Sequence, residues 1–351
     1  MSGISCLLTY FTETGREGAA DLAGSGALLR VENAFVAYGR YLGKTFWPVR
    51  LALPYVNPDH WSWLEVGGSV VVVVSLCLLA LWCGRRWPCL LVGWGWFWGT
   101  LIPVIGLTKG WGVFMGDRFT YLPSIGLLLL VVWGVCEATR GWRHQTLALL
   151  VAWGAAQGLC LAQSRRQISY WRDSETLFQH TLAVTENNCI AHNSLANALN
   201  RKGRIEEAIP HYEEAIRLKP DYAEAYNNLG SALDDRGQSD QAILQYQVAL
   251  RLKPDYADAY YNLGNALRRK GQTDEAIGSY QEALRLKPDY AEAHNNLGIA
   301  LYRQGRTAEA IRQFEEALRL KPKFAGAREN LDAVLTAKAR LLSSPGAATH
   351  R

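Results

Sequence analysis

Asparagine side chains recur at fixed intervals in the second half of the chain, and their type and spacing fit a binding function. They occupy the fifth, sixth and ninth positions of a helix that returns every 34 residues. A carboxamide both donates and accepts hydrogen bonds, so a ladder of them can hold an extended peptide backbone without reading its side chains. The alternative is that these residues only pack one repeat on the next, and the sequence favours neither. The predicted peptide-binding residues are Asn193, Asn197, Asn227, Asn228, Asn262, Asn265, Asn295 and Asn296.

The sequence contains no residue pattern typical of a catalytic or metal-binding site. It has no Gly-rich phosphate loop, no zinc spacing of Cys or His, and no Ser, His and Asp set for nucleophilic catalysis. We therefore predict no cofactor and no metal. His192 and His294 take an aromatic position of the repeating helix, which packing explains better than ligation. The net charge of +5 is spread over both halves and argues against nucleic acid as a partner, because nucleic acid requires a basic stripe.

The 34-residue period predicts an α-solenoid. The phrase LKPDYAEA at Leu218 returns with small changes at Leu252, Leu286 and Leu320. The small, aromatic and Pro positions of each unit match the tetratricopeptide (TPR) signature, in which a unit is a pair of helices, A and B. The predicted units are a junction with half a repeat at 165–188, four repeats at 189–222, 223–256, 257–290 and 291–324, a capping helix at 325–342 and a disordered tail at 343–351.

The first half has the composition of a membrane domain. Between Val66 and Ser164 only eight residues are charged, and all thirteen Trp lie at or before Trp171. Indoles collect at the lipid–water interface, and a helix needs about 20 apolar residues to cross a bilayer. We predict four transmembrane helices within 66–164, at about 66–84, 87–108, 119–136 and 146–162. The predicted fold class is all-α, with a polytopic transmembrane helix bundle followed by a TPR α-solenoid.

Residues 1–65 are predicted to form an interfacial or partial membrane region with an amphipathic helix at 30–47. This helix can lie in the interface plane or join the bundle as a partly buried helix, and the sequence favours neither. The first and third loops between the predicted spans hold four Arg, whereas the second holds one Lys and one Arg. By the positive-inside rule, the repeats then lie on the outer side, which is periplasmic for a bacterial inner membrane.

Several motifs resemble those of a known family. They are YGRYLGKTFWPVRLALPY (Tyr38 to Tyr55), WGTLIPVIGL (Trp98 to Leu107), GDRFTYLPSIGL (Gly116 to Leu127) and YWRDSETLFQHTL (Tyr170 to Leu182). With the repeats that follow, they resemble the C-terminal part of the transmembrane-and-TPR protein O-mannosyltransferases, which are GT-C fold glycosyltransferases. We expect the chain to correspond to the latter half of such an enzyme, without its N-terminal catalytic part.

The resemblance implies transfer of a sugar, mannose, from a polyprenyl-phosphate donor to a Ser or Thr hydroxyl, with membrane lipid and acceptor polypeptides as partners. It implies binding of the lipid phosphate or sugar by Arg118 and Tyr121 in the second loop, and by Arg40 and Lys44 in the amphipathic helix. Asp117 is a candidate base, and a salt bridge with Arg118 is its more ordinary explanation.

The acidic motif that this family carries in its first external loop has no counterpart in the sequence. Whether the chain is an enzyme is therefore left open. The rival function is a non-enzymatic, membrane-tethered TPR scaffold for protein–protein interaction.

Overall fold

The computed structural model describes residues 27–46, 61–102 and 121–343, and the chain forms two compact units, Met1–Ala191 and His192–Arg351. The described residues form fifteen α-helices. These are α1 (Ala27–Phe46), α2 (Trp63–Gly84), α3 (Pro88–Leu101), α4 (Tyr121–Ala138), α5 (Gln145–Tyr170), α6 (Ser174–Val184), α7 (Cys189–Arg201), α8 (Ile205–Leu218), α9 (Ala223–Asp235), α10 (Ser239–Leu252), α11 (Ala257–Arg269), α12 (Thr273–Leu286), α13 (Ala291–Arg303), α14 (Thr307–Leu320) and α15 (Ala325–Ser343).

Helices α1 to α4 share a small aromatic and aliphatic core in which each helix packs on the next. Tyr38 of α1 stacks on Trp98 of α3 with ring centroids 4.4 Å apart, and its hydroxyl donates to the Trp98 carbonyl at 2.9 Å. Tyr41 is also buried, beside Tyr38 on the same face of α1. The apolar face of this helix therefore packs on the neighbouring helices α2 and α3.

Glycines allow a close contact between α3 and α4. A methyl group on Gly93 of α3 would come within 2.6 Å of the Gly126 carbonyl oxygen, and one on Gly126 of α4 within 2.5 Å of the Gly93 carbonyl oxygen. Small residues at a helix crossing are typical of helices that pack in lipid, where backbones approach closely.

Two helices in the described ranges, α2 with 22 residues and α5 with 26, are long and apolar enough to cross a membrane. Helix α3 has only 14 residues and ends two residues before Pro103, whose ring disfavours helix in the residue before it. The remainder of the predicted 87–108 span lies outside the described residues. Helix α4 is apolar and shorter than the two candidate spans. These helices therefore do not establish the predicted bundle of four transmembrane helices.

Helices α7 to α14 form four A–B pairs, and the all-α helical-repeat part of the predicted fold is confirmed. Within a pair, the aromatic ring of helix B fills the space over a small residue of helix A. A methyl group on Gly264 would lie 2.6 Å from the Tyr280 Cε1 atom, for example. A Gly with positive φ ends the turn between A and B in each pair, because only Gly adopts this conformation without strain. These are Gly203, Gly237, Gly271 and Gly305.

The segments on either side of the pairs are also helical. Helix α6 lies in the predicted junction and is capped at its N-terminus by Asp173, whose carboxylate accepts the Thr176 backbone N–H at 2.9 Å. Helix α15 packs on α14 and covers the predicted capping segment. Residues 344–351, most of the predicted tail, lie outside the described residues.

Candidate functional site

The A helices α7, α9, α11 and α13 present one polar face, which we call the A face. It consists of positions five, six, nine, twelve and thirteen of each A helix. Steps of three and four residues place these positions on one side of a helix. All eight asparagines predicted to bind peptide lie on the A face.

A ladder of side-chain hydrogen bonds connects these helices. The sixth-position Asn228 donates from Nδ2 to Oδ1 of the fifth-position Asn193 of the preceding repeat at 3.0 Å, across 35 residues of sequence. Asn262 donates to Asn227 in the same way at 3.0 Å. Each rung therefore joins two neighbouring A helices through their carboxamides.

The ladder continues to the last helix with one change. In the third repeat Tyr261 takes the fifth position, and Asn296 donates to its hydroxyl at 3.2 Å and to Asn265 Oδ1 at 2.8 Å. Asn330 of α15 then donates to Asn295 at 2.9 Å, so the capping helix supplies the last rung.

The rungs divide the predicted residues into two groups. Asn193, Asn227 and Asn295 at the fifth position are 6–7% exposed, so they mainly join repeats. The sixth-position residues Asn228 and Asn296 are half-buried and reach the surface of the face. The packing alternative thus accounts for the fifth position, whereas the sixth position retains an edge that a ligand can reach.

The ninth-position side chain of helix A pairs with the aromatic residue of helix B in the same repeat. The sequence analysis did not predict this pairing. Tyr212 donates to Asn197 Oδ1 at 2.6 Å, and Tyr280 to Asn265 Oδ1 at 2.8 Å. Where the ring lacks a hydroxyl, the ninth position is apolar. The four pairs are Tyr212 with Asn197, Tyr246 with Ser231, Tyr280 with Asn265, and Phe314 with Ile299. This correlation between repeats was the available sequence signal.

Burial raises the pKa of these tyrosines, so each remains a protonated donor at neutral pH. The pKa values of Tyr212 and Tyr246 are both raised, and burial is the largest cause in both. For Tyr280 burial raises the pKa to about 12, and the nearby Arg268 guanidinium partly offsets this rise. The hydroxyls therefore serve as fixed structural donors to the A face.

Charged residues lie two helical turns beyond the ladder, at positions twelve and thirteen. Arg269 forms an ion pair with Asp234 of the preceding repeat and repeats the 35-residue offset of the rungs. The Asp234 side chain is 5% exposed and also accepts from Ser239 Oγ at 2.7 Å. The adjacent Arg268 has no carboxylate partner in the described part of the chain, and its Nε is buried without an acceptor.

A histidine pair occupies the first repeat. His192 Nδ1 and His211 Nδ1 are 3.1 Å apart, so one ring donates and the other accepts, and the accepting nitrogen is unprotonated. The pKa of both is lowered, first by burial and, for His192, next by the charge on His211. Glu214 raises both pKa values, Glu207 raises that of His211, and Arg217 lowers that of His192.

The equivalent pair in the fourth repeat is His294 with Gln313. His294 Nδ1 contacts the Gln313 side-chain oxygen at 2.7 Å, and its Nε2 contacts the Pro288 carbonyl oxygen at 3.1 Å. Within the described residues, no group of three or more His, Cys, Asp or Glu side chains is arranged to hold a metal ion.

The residues predicted to bind a lipid phosphate or sugar are placed only in part. Arg40 of α1 pairs with Glu65 at 3.2 Å and lies 4.5 Å from the ring centre of Trp61, so its charge is already engaged. Lys44 lies in the last turn of the same helix. Tyr121 is the first residue of α4, and its side chain is outside the described part. The predicted Arg118 and Asp117 also lie outside the described residues.

Known proteins resemble the repeats. The family profile described as TPR repeat matches residues 196–234, 230–270 and 264–305, and the one described as Tetratricopeptide repeat matches 291–324. Protein O-mannosyl-transferase Tmtc2 of Drosophila melanogaster is 29% identical over 123 residues, which are 35% of this chain and 13% of that protein. Protein O-mannosyl-transferase TMTC1 of Mus musculus is 30% identical over 161 residues, 44% of this chain and 17% of that protein.

Among solved structures, a crystal structure of MamA is 30% identical and covers 46% of this chain and 95% of its own, with a TM-score of 0.41. The structure of YrrB, described as a TPR protein with an unusual peptide-binding site, is 26% identical and covers 46% of this chain and 84% of its own, with a TM-score of 0.40.

The chain carries TPR repeats, and over this region it is homologous to the protein O-mannosyl-transferases. Its matched segment spans only 13–17% of the two relatives above. TPR repeats fit the binding of peptide or protein partners.

Proposed function

We propose that this chain is a multi-pass membrane protein whose solenoid binds an extended segment of an acceptor or partner polypeptide along the A face. The membrane half would correspond to the C-terminal half of a protein O-mannosyltransferase that uses polyprenyl-phosphate mannose. The observation that carries the proposal is the ladder of carboxamides that joins each A helix to the next.

The ladder leaves hydrogen-bonding capacity for a ligand. Asn228 uses one N–H for its rung, while Asn227 approaches its Oδ1 at 3.5 Å. A carboxamide has two N–H donors and two acceptor lone pairs, so one donor and one lone pair remain. An extended backbone carries a donor and an acceptor on each residue and can use both. Because the rung already fixes the Asn228 rotamer, binding costs little side-chain entropy there.

The apolar surface of the first half supports a bilayer environment. Trp82 on α2 is 81% exposed, and Leu159 on α5 is 70% exposed. Helix α5 contains no buried residue. Contiguous exposed apolar surface of this kind is costly in water and suits contact with lipid. The bilayer would hold the repeats at the membrane, on the outer side according to the loop charges.

In this proposal the solenoid delivers Ser- or Thr-containing segments to the membrane face. Sugar transfer would further require a carboxylate base at the acceptor and a cation at the lipid phosphate. Of the candidate cations, Arg40 is occupied by Glu65 and Trp61. The full chain in lipid nanodiscs, supplied with polyprenyl-phosphate mannose and a Ser/Thr polypeptide, tests transfer. Polypeptide binding without transfer would identify the tethered scaffold.

Site-specific photocrosslinking tests the binding surface and leaves every hydrogen bond between carboxamides in place. Benzoylphenylalanine replaces Tyr261 on the A face of the full chain in nanodiscs, and, as the control, Leu244 on helix B, which is 58% exposed. We expect an unstructured Ser/Thr-rich polypeptide to crosslink at position 261 and not at position 244. Equal labelling at the two positions, or labelling only at position 244, would show that the A face is not the binding surface.

A further inference from the structure

The third repeat departs from the others on the A face. Its fifth position is Tyr261, where the other repeats have Asn. Its twelfth position is Arg268, whereas the other three repeats have Asn200, Asp234 and Tyr302 there. The Tyr261 ring centre lies 4.9 Å from that of Tyr290. The third repeat thus places a tyrosine at the fifth position and a guanidinium at the twelfth position, where the other repeats have different side chains.

A chain of hydrogen bonds lies next to Arg268. The guanidinium is close enough to the Tyr280 hydroxyl to lower its pKa, and this hydroxyl donates to Asn265 Oδ1 at 2.8 Å. The same Asn265 oxygen accepts from Asn296 at 2.8 Å, and Asn296 also donates to Tyr261 at 3.2 Å. Because Tyr280 is fully buried, its hydroxyl next to Arg268 is held in place. The guanidinium therefore has a fixed polar neighbour before any ligand arrives.

The charge of Arg268 is not balanced within the described residues. Its neighbour Arg269 has a buried partner in Asp234, whereas Arg268 has no carboxylate. The Arg268 Nε is removed from solvent and has no acceptor. A guanidinium carries five N–H donors in a planar fork that matches a carboxylate. The half-buried Arg268 is a cation without a carboxylate partner among the described residues, and it is therefore complementary to an anion.

We propose that the third repeat reads an acidic side chain, Asp or Glu, in the polypeptide bound along the A face, and that Arg268 is the specificity-determining residue. The carboxamide rungs hold the backbone at the other repeats, and Arg268 fixes the register by pairing with one carboxylate. This inference rests on the proposed function, because it requires a polypeptide on the A face. What this inference adds is a preference for one acidic side chain in that polypeptide.

The test compares two fluorescent peptides that differ in one atom group. Both are unstructured 13-residue peptides of Ser, Thr, Ala and Gln, with either Glu or Gln at the centre, and their binding to the full chain in nanodiscs is measured by fluorescence anisotropy. Hydrogen bonds to a charged group are worth more than neutral ones, so we expect the Glu peptide to bind about ten- to a hundredfold tighter. The Arg268→Gln variant should bind both peptides equally.

Two controls separate this preference from general effects. Arg285, which pairs with Glu282 at 2.8 Å outside the A face, is changed to Gln, and the Glu preference should remain. Arg268→Lys retains the charge without the planar fork and should keep only part of the preference. Equal affinity of the unmodified chain for both peptides, or a preference that survives Arg268→Gln, overturns the inference and leaves the proposed function standing. Binding of neither peptide overturns both.

Discussion

The pair formed by Tyr212 and Asn197 offers a quantitative test of how the A face is held. We expect Tyr212→Phe to cost about 0.5–1.5 kcal/mol, the usual worth of one hydrogen bond. The half-buried Asn197 can then recover a partner from water. Asn197→Ile should cost more, about 1–3 kcal/mol, because Tyr212 is only 1% exposed and its hydroxyl would have no acceptor.

The double variant, Tyr212→Phe with Asn197→Ile, builds the pair that the fourth repeat already has in Phe314 and Ile299. Replacing both partners of a hydrogen bond by apolar groups can be nearly neutral. We therefore expect the double variant to be less destabilised than Asn197→Ile alone. The coupling free energy of the cycle should then be about 1–3 kcal/mol.

Amide hydrogen exchange of the full chain in nanodiscs, followed by mass spectrometry, measures these free energies locally. Peptides from α7 and α8 report the first repeat, and peptides from α13 and α14 serve as the reference within the same sample. A double variant whose destabilisation equals the sum of the two single variants would refute the reasoning, since it would show that the 2.6 Å contact carries no coupling.

Three further outcomes are expected. Because the folded pKa of His192 and His211 is lowered, their contribution to stability is present above about pH 6.5 and is lost as the pH falls through the folded values. The hydrogen-exchange protection of the first repeat, corrected for intrinsic exchange rates, should therefore fall as the pH is lowered. The His211→Gln variant should show a weaker dependence of protection on pH. Protection that does not change with pH in the unmodified chain would contradict this prediction. Gly271→Ala should destabilise the third repeat by about 1 kcal/mol because φ is +79°, whereas Gly278→Ala, with open space around it, should stabilise a helix by about 0.5–1 kcal/mol. Thermal melts by circular dichroism compare the two, and equal melting temperatures would count against the explanation. Asn330→Ala removes the last rung, so limited proteolysis should cut α15 faster, and an unchanged cleavage rate would show that the rung does not hold the cap.

The helices of the solenoid could be predicted because their ends are set by local chemistry. A Gly such as Gly237 closes each turn, and a Pro such as Pro254 follows the end of each B helix. The first half of the chain was harder to predict. Hydropathy registers an apolar segment and not the length of its helix, so the second predicted span extends beyond the 14 residues of α3.

The sequence was enough to predict which residues form the candidate site, but not which of these residues contact one another. The period placed Asn193 and Asn228 on one face, yet which amide meets which depends on the rotation between neighbouring repeats, and no local signal encodes that angle. The exception is the pairing of Tyr with Asn and of Phe with Ile between the helices of one repeat, which comparison of the repeats could have shown. Arg268 was missed because it looks like any other surface Arg until the carboxylates around it are located.

The constant offset of the rungs has a consequence for how such a chain can change in length. Asn228 to Asn193 and Asn330 to Asn295 both span 35 residues, one more than the period. Duplicating or deleting one whole unit therefore keeps the fifth and sixth positions of neighbouring repeats in register on both sides of the join, whereas an insertion of any other length within a helix pair would break the ladder at that point. The A face can grow or shrink only in steps of one repeat, with α15 and its Asn330 closing the array. One whole repeat is therefore the unit that recombination within the gene can add or remove without shifting the rungs.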